Sequence, residues 1–271
     1  MRPLEDLRAQ EAAAVEVIFT DIDGTLTGPE GRIPASVFAV LEELRDAGIT
    51  VVPVTGRPAG WCDLIARTWP VDGVIGENGG LYFRRLVGPG GERMDRVFAQ
   101  PADVRKENRL RLDEIAEAIL TAHPGAALAS DQRYRALDIA IDFCEDVDRL
   151  PEAEVEKIIE ELRLRGCQVK LSNIHVNAWF GSHDKASMCL RYGAECWSWD
   201  LRGDDGERCM FFGDSPNDAP LFALFPLSVG VSNVAEMQSK IPTLPTFITR
   251  GAGAEGFVEG ALRVLALRSS A

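Results

Sequence analysis

The stretch FTDIDGTLTG, residues 19–28, places two carboxylates, Asp21 and Asp23, directly after the apolar run of residues 15–19. Side chains two positions apart in an extended segment point to the same side, so the two negative charges repel one another. Gly24 and Thr25 follow immediately and indicate a turn. Because this arrangement is unfavourable in a purely structural role, we interpret it as part of a site that uses both carboxylates.

The composition is that of a globular chain with enough apolar residues for a buried core. Its 271 residues are 46% hydrophobic and carry a formal net charge of −13. This charge argues against nucleic acid and anionic membranes as partners, since both are polyanions. The first ten residues, MRPLEDLRAQ, contain acidic residues and no apolar signal core, so we expect a cytoplasmic protein. The six cysteines form no C-x-x-C pair, which favours reduced thiols.

Both ends of the chain alternate short apolar runs with helical patterns, which is typical of a parallel sheet covered by helices. The patterns predict strands at residues 15–19, 49–54, 71–75, 209–212, 227–231 and 246–249, and helices at 37–47, 217–225 and 256–267. We therefore predict the α/β class, with a Rossmann-like parallel sheet core formed by residues 1–100 and 182–271.

The middle of the chain has a different pattern. Apolar residues at 81–83 and 96–98 flank the turn signal Gly88-Pro89-Gly90-Gly91 and predict a hairpin. The segments that follow predict helices at 104–122 and 151–165, and strands at 127–130, 137–143, 168–171 and 174–180. This order predicts an inserted α+β cap domain at residues 101–181.

Four polar signals lie at the carboxyl ends of predicted strands or at helix starts, where ligands collect in open parallel sheets. They are DIDGT at residues 21–25, TGR at 55–57, Lys185, and GDSPND at 213–218. In this order they resemble the haloacid dehalogenase superfamily of phosphohydrolases over essentially the whole chain. The insertion is similar to the cap of the Cof-type and sugar-phosphatase branch. ENGG at 77–80 and GDSPND resemble sucrose-phosphate and mannosyl-phosphoglycerate phosphatases most.

The resemblance implies catalytic roles for Asp21, Asp23, Thr55 and Lys185. A carboxylate such as Asp21 can attack phosphorus and form an aspartyl-phosphate, which divides one difficult hydrolysis into two easier displacements. Asp23 would protonate the leaving oxygen and then take a proton from water. Thr55 would donate a hydroxyl hydrogen bond, and Lys185 would supply positive charge.

Two anionic reactants also require a cation, and Mg²⁺ prefers carboxylate oxygen and water. By resemblance its ligands would be Asp21, the backbone carbonyl of Asp23, and Asp214, with Asp218 as a direct or water-mediated ligand. Asp218 has a structural alternative, because Ser215-Pro216-Asn217-Asp218 also reads as a capping box at a helix start.

The same motifs imply substrate contacts for Gly24, Gly56, Arg57, Asn78 and Asn217. Arg57 could equally be the partner of a structural ion pair. Without its place after the cap, Lys185 would be interpreted as a solvated lysine at a helix start.

The predicted strand at 174–180 alternates two kinds of side chain. His175, Asn177 and Trp179 share one face, which would suit a sugar ring, although a solvated sheet face explains the pattern equally well. The basic run at residues 105–111 is more typical of a solvated helix face than of an anion clamp.

We therefore expect an Mg²⁺-dependent hydrolase of a small phosphomonoester, a sugar phosphate, acting through an aspartyl-phosphate. A phosphotransferase of the phosphomannomutase type and a non-catalytic sugar-phosphate-binding protein remain as alternatives. The sequence does not predict the oligomeric state or the identity of the phosphorylated substrate.

Overall fold

The computed structural model describes residues 1–89, 91–172 and 174–269. In chain order the strands are β1 (Arg2–Pro3), β2 (Val17–Thr20), β3 (Thr50–Pro53), β4 (Gly73–Gly76), β5 (Leu81–Gly88), β6 (Gly91–Phe98), β7 (Ala127–Leu128), β8 (Asp138–Asp142), β9 (Gln168–Leu171), β10 (His175–Trp179), β11 (Cys209–Gly213), β12 (Leu227–Gly230) and β13 (Phe247–Ile248). The α-helices are α1 (Ala9–Ala14), α2 (Ala35–Asp46), α3 (Ala59–Thr68), α4 (Ala102–Ala122), α5 (Glu152–Leu164), α6 (Lys185–Trp197), α7 (Ala219–Leu224) and α8 (Gly253–Arg268).

The core sheet has the strand order β1-β13-β12-β11-β2-β3, and all of its neighbouring strands are parallel. Its strands are apolar on both faces because helices cover both faces. Ile18 of β2 packs into the cluster that includes residues of α2 and α8, whereas the next residue, Phe19, packs into the cluster that includes residues of α6 and α7. The predicted α/β class is confirmed.

Strands β2 and β11 are neighbours in space although they are far apart in sequence. Thr20 pairs with Phe212, and the Asp21 N–H donates to the Phe212 carbonyl at 2.8 Å. Parallel pairing brings the carboxyl ends of both strands to one edge of the sheet. The loops after β2 and β11, which carry two of the predicted motifs, therefore lie side by side.

The inserted segment forms its own antiparallel sheet, in the order β7-β8-β10-β9. Helices α4 and α5 pack on one side of it through a separate apolar cluster that includes Leu112, Ile139, Ile158 and Val176. We call this unit the cap. A further sheet, β4-β5-β6, lies beside the core sheet and is linked to it by a bridge between Val54 and Ile75.

The structure contains elements that the sequence analysis did not predict as well as elements that it did. Helices α1 and α3 were not predicted. The hairpin β5–β6 is present, although Gly90 of its turn signal lies outside the described residues. The domain boundaries at residues 100 and 181 stay a prediction.

Along the described ranges, no helix combines the length and the apolarity needed to cross a membrane.

Candidate active site

Three carboxylates and one lysine meet at the carboxyl edge of the core sheet. Asp21 follows β2, Asp214 follows β11, and Asp218 ends the short helical turn after it. One oxygen from each carboxylate lies within 4.8 Å of the others, and all three residues are buried. Lys185, the first residue of α6, is also buried. We call these four residues the core carboxylate cluster.

Lys185 is held in the cluster by two ion pairs. Its Nζ lies 2.6 Å from Asp21 Oδ1 and 2.7 Å from Asp218 Oδ1. Burial lowers the pKa of Lys185, but the two carboxylates outweigh burial and raise that pKa above its ordinary value. The alternative of a solvated helix-start lysine is therefore wrong. Asp184 caps α6 by accepting a hydrogen bond from the Ser187 N–H at 2.7 Å. This cap fixes where the helix begins and therefore where Lys185 lies.

The other charged groups of the cluster act on the pKa of Asp21. Burial raises its pKa well above the usual range of a carboxyl group, the Lys185 ammonium opposes that shift, and the Asp218 and Asp214 carboxylates reinforce it. Three carboxylates and one ammonium leave a formal charge of −2 when all are ionised. A hard divalent cation with oxygen ligands fits this donor set and would keep Asp21 ionised.

Asp218 serves the local backbone as well as the cluster. Its Oδ2 accepts from the Asp214 N–H at 3.0 Å and from the Ser215 N–H at 3.2 Å, while Oδ1 binds Lys185. The capping box that the sequence offered as an alternative is present. Both oxygens of Asp218 thus have protein partners, which favours a water-mediated role towards a cation over direct ligation.

Sequence reasoning missed Asn233. Its Nδ2 donates to Asp214 Oδ2 at 2.9 Å and to the Gly24 carbonyl at 3.1 Å, and its Oδ1 accepts from the Gly253 N–H at 2.9 Å. One amide therefore ties together the loops after β2 and β11 and the start of α8. A single asparagine near the start of the short 3₁₀ helix after β12 carries no motif that would have singled it out.

Asp23 does not lie free beside Asp21. The Arg57 guanidinium forms a bidentate ion pair with Asp23, in which Nη2 donates to Oδ1 at 2.8 Å and Nε donates to both oxygens at 3.1 Å. The same guanidinium reaches into the cap, where Nη2 lies 3.3 Å from Glu145 Oε1 and Nη1 lies 3.7 Å from Asp131 Oδ2. Its flat face lies over the Trp61 ring. The structure therefore places Arg57 in an ion-pair network.

The cap contributes a second arginine to the same boundary. Arg135 Nη1 donates to the Gly56 carbonyl at 3.0 Å and to Asp138 at 3.1 Å, and Arg135 Nε donates to Asp131 at 3.2 Å. Burial raises the pKa of Asp138 to about 7, while Arg135 opposes the shift. We call the contacts of Arg57 with Asp131 and Glu145, and of Arg135 with the Gly56 carbonyl, the seam network, because they join core and cap.

A small cavity of about 30 Å³ lies between the core carboxylate cluster and the cap. Asp21 and Asp23 line it from the core, and Arg135, His175 and Asn177 line it from the cap. Glu145 contacts both Arg57 and His175, since its Oε1 lies 3.3 Å from Arg57 Nη2 and its Oε2 lies 2.8 Å from His175 Nε2. The cap strand β10 therefore presents two of its three predicted residues to the space above Asp21.

Trp179 is the exception and corrects the sequence interpretation. It is buried, with 1% of its surface exposed, and it does not line the cavity. Its ring stacks on His183 at a centroid distance of 5.6 Å, and its Nε1 donates to the His183 carbonyl at 3.2 Å. Alternation places it on the same strand face as His175, but it lies at the far end of β10, where the chain returns to the core.

The remaining predicted substrate contacts, and Thr55, which was predicted to be catalytic, line the cavity or lie beside a residue that lines it. Gly56 and Asn217 line it, and Asn217 Oδ1 accepts from Ser215 Oγ at 2.6 Å. Gly24 takes a positive φ of 86° in the turn after Asp23. Asn78 is buried against Gly56, and its amide atoms have no hydrogen-bond partner in the part of the chain that the structure describes. Thr55 Oγ1 accepts from the Arg57 N–H at 3.0 Å.

The basic run on α4 serves packing. Arg105 lies over the Phe98 ring, Arg111 lies over the Phe180 ring, and Arg109 pairs with Asp113 at 2.9 Å. None of these arginines is among the cavity-lining residues within the described ranges. This outcome speaks against an anion clamp, but Arg105 and Arg109 are half-buried and not on a fully solvated helix face.

Known proteins share this fold, in which a site lies at the carboxyl edge of a parallel sheet. The family model described as haloacid dehalogenase-like hydrolase matches residues 18–85. A relative named phosphoglycolate phosphatase, from Methanopyrus kandleri, is 25% identical over 89% of this chain and 95% of its own length.

Solved structures agree on the fold. A Thermoplasma acidophilum protein superposes with a TM-score of 0.68 at 17% identity, covering 93% of this chain and 98% of its own. The sucrose-phosphatase from Synechocystis, solved with sucrose and phosphate, has a TM-score of 0.62 at 17% identity, covering 92% and 97%. The chain is thus similar to haloacid dehalogenase-like hydrolases in the sequence of residues 18–85 and in its fold.

Proposed function

We propose that this chain is an Mg²⁺-dependent phosphomonoesterase that works through an aspartyl-phosphate on Asp21. The observation that carries the proposal is the burial of Asp21 below the cavity, in contact with Lys185 and close to two further carboxylates. A structural carboxylate in such a position would be strongly disfavoured. The arrangement is explained if Asp21 is a nucleophile whose negative charge is offset by Lys185 and by a bound cation.

In the first step Asp21 attacks the phosphorus of the ester. Lys185 donates to Oδ1, so we assign the attack to Oδ2. The bond from Oδ2 to phosphorus forms, the bond from phosphorus to the ester oxygen breaks, and the leaving oxygen takes a proton from Asp23. Asp23 can keep its Oδ1 on the Arg57 guanidinium while Oδ2 carries the proton, so Arg57 orients the acid that donates.

In the second step water attacks the phosphorus of the aspartyl-phosphate. Asp23 takes the proton of that water, the bond from Oδ2 to phosphorus breaks, and inorganic phosphate leaves with Asp21 restored. Lys185 stabilises the negative charge at Asp21 in both steps. The seam network keeps the cap over the reacting atoms, which limits access of bulk water.

Asp21, Asp214 and the Asp23 carbonyl would hold Mg²⁺, with Asp218 in support. When bound, the ion would neutralise charge on the phosphoryl oxygens and on the attacking carboxylate. Because burial raises the pKa of Asp21, protonation and cation binding compete at this carboxylate.

The substrate we propose is a small phosphomonoester, either a sugar phosphate or phosphoglycolate. The hydrogen-bonding side chains of His175 and Asn177 suit sugar hydroxyls. Phosphoglycolate is supported by the names of the curated relatives, which are phosphoglycolate phosphatases.

The test is a comparison of phosphate release from phosphoglycolate, a panel of sugar phosphates and an aryl phosphate, each with Mg²⁺. We expect the best natural ester to exceed the aryl phosphate in kcat/KM by at least about tenfold, because only the natural ester gains contacts from the cap. Inorganic phosphate released without a sugar acceptor would exclude the phosphotransferase. Absence of release from every ester would overturn the proposal.

A further inference from the structure

Glu77, the first residue after β4, is a buried carboxylate with no assigned role. It is 0% exposed, yet its two oxygens accept four backbone hydrogen bonds. Oε1 accepts from the Ala59 N–H at 2.9 Å and from the Ala136 N–H at 2.8 Å. Oε2 accepts from the Leu137 N–H at 2.6 Å and from the Asp138 N–H at 3.2 Å. An ionised carboxylate is the side chain with enough acceptor sites for this set.

These four donors come from opposite sides of the boundary between core and cap. Ala59 begins α3 in the core, whereas residues 136–138 precede and begin the cap strand β8. The backbone of the same loop is bonded to the TGR motif, since the Glu77 N–H donates to the Arg57 carbonyl at 3.0 Å and the Asn78 N–H donates to the Thr55 carbonyl at 3.1 Å. One residue therefore connects the cap to the loop that carries Arg57.

The backbone at this point is unusual. Glu77 and Asn78 both have positive φ angles, 47° and 52°, although neither is glycine. Such conformations cost free energy and persist where surrounding contacts fix them. Here the left-handed turn directs the Glu77 carboxylate towards the cap segment. The four hydrogen bonds offset the cost of this conformation.

The cap segment that Glu77 holds carries residues of the cavity. Arg135, directly before it, lines the cavity and donates to the Gly56 carbonyl. Asp138, at its end, accepts from Asn177 Nδ2 at 3.2 Å, and Asn177 also lines the cavity. A shift of residues 136–138 would therefore move two groups that face Asp21.

We propose that Glu77 is a positioning residue that fixes the cap over the nucleophile, and that it sets how well the cap recognises the ester's leaving group. This inference rests on the proposed phosphatase mechanism. Glu77 touches no reacting atom, so its effect must pass through Arg135 and Asn177. Esters whose leaving groups contact the cap should depend on Glu77, and esters without such contacts should not.

The experiment compares wild type with Glu77→Gln, Glu77→Asp and the control Glu259→Gln, all in the full chain. In Glu77→Gln an amide nitrogen replaces one carboxylate oxygen and cannot accept from backbone N–H groups, so part of the four hydrogen bonds is lost. Glu259 is a matched control because its carboxylate also accepts backbone hydrogen bonds, from Arg250 at 3.0 Å and Gly251 at 2.9 Å, but entirely within the core.

Two readouts are measured with Mg²⁺ present. The first is the ratio of kcat/KM for the best ester of the panel to that for an aryl phosphate. The second is amide hydrogen exchange at residues 136–138. We expect Glu77→Gln to lower the ratio on the order of 10- to 100-fold and to speed exchange at 136–138, with the aryl phosphate rate changed less than about threefold. Glu259→Gln should leave both readouts unchanged.

An unchanged ratio in Glu77→Gln, or an equal loss on both esters that follows only the melting temperature, would overturn the inference. If Glu77→Gln does not fold, Glu77→Asp carries the same comparison, because it keeps the charge and shortens the reach. If wild type hydrolyses no ester, the proposed function fails, and hydrogen exchange alone then decides whether Glu77 holds the cap.

Discussion

The core carboxylate cluster and the seam network contain the same kinds of side chain but differ in what holds them in place. The cluster consists of groups fixed to the ends of adjacent strands and to one helix start, all within the core. The seam network joins groups on opposite sides of a boundary, such as Arg57 and Glu145, which are 88 residues apart. The contacts of the seam network cross the boundary between core and cap, whereas the ion pairs of the core carboxylate cluster do not.

This difference separates two tasks of the enzyme. Chemistry on phosphorus requires groups held in a constant geometry, and strand ends provide that rigidity. Recognition of a leaving group requires access, and contacts between two packed units can open and reform. Changes in the cluster should therefore affect every substrate equally, whereas changes in the seam should distinguish between substrates.

The largest effect is expected from Asp21→Asn. The amide is a poor nucleophile, so phosphate release should fall at least about 10³-fold for every ester tested. The near-identical shape should preserve the fold, which a melting temperature would check. Asp113→Asn, which alters an exposed carboxylate on α4, is the matched control. A substrate-dependent loss in Asp21→Asn would contradict the separation of tasks.

Removal of divalent cations should abolish activity almost as completely. The core carboxylate cluster has an uncompensated formal charge, so EDTA should reduce phosphate release to background, and Mg²⁺ should restore it. Ca²⁺ should restore little, because its larger and looser shell does not hold reactants in line. Mg²⁺ should also raise the melting temperature, since it binds only the folded chain. Full activity in EDTA would refute the cation requirement.

Arg57→Ala should lower kcat/KM for the best ester on the order of 100-fold, because both the orientation of Asp23 and two cap contacts are lost. For an aryl phosphate, which depends less on protonation of its leaving group, we expect a loss of only about tenfold. Arg67→Ala is the control, because Arg67 is an exposed arginine of α3, the helix that follows Arg57. Equal losses for both esters would place Arg57 with the cluster and not with the seam.

Asn233→Ala should weaken the affinity for Mg²⁺ on the order of 10-fold, because Asp214 loses the amide that orients it. The dependence of activity on Mg²⁺ concentration measures this affinity. Saturating Mg²⁺ should restore most of kcat. Gln238→Ala changes an exposed amide in the same segment and should have no effect. An unaltered Mg²⁺ dependence in Asn233→Ala would remove Asn233 from the site.

The smallest effect concerns pH and stability at the seam. The hydrogen bond from His175, together with Arg57, lowers the pKa of Glu145 to about 2. A carboxyl group whose pKa is lower in the folded state stabilises that state above its unfolded pKa, and loses this contribution as the pH falls through the folded value. The melting temperature of wild type should exceed that of Glu145→Gln by a few degrees near neutral pH. This gap should narrow steadily below about pH 4.5. A constant gap would show that Glu145 acts by packing alone.

The sequence by itself determined the α/β class, and it predicted the inserted segment and the residues that the structure brings together as the core carboxylate cluster. Apolar runs mark buried strands, and a carboxylate directly after such a run must lie at the carboxyl edge of the sheet. Asp21 and Asp214 follow this local rule, so the four motifs predicted their neighbourhood. Lys185 was placed by its motif, although its burial between two carboxylates has no local signature.

Only the tertiary structure decided what Arg57, Glu77, Asn233 and Trp179 do. Alternation along a strand specifies the face on which a side chain lies, but not whether that face is covered, and Trp179 is covered at its end of β10. The partners of Arg57 and Glu77 come from cap segments that are distant in sequence. Ion pairs and side chain to backbone hydrogen bonds across such a boundary depend on how the two units pack, which no spacing in the chain encodes.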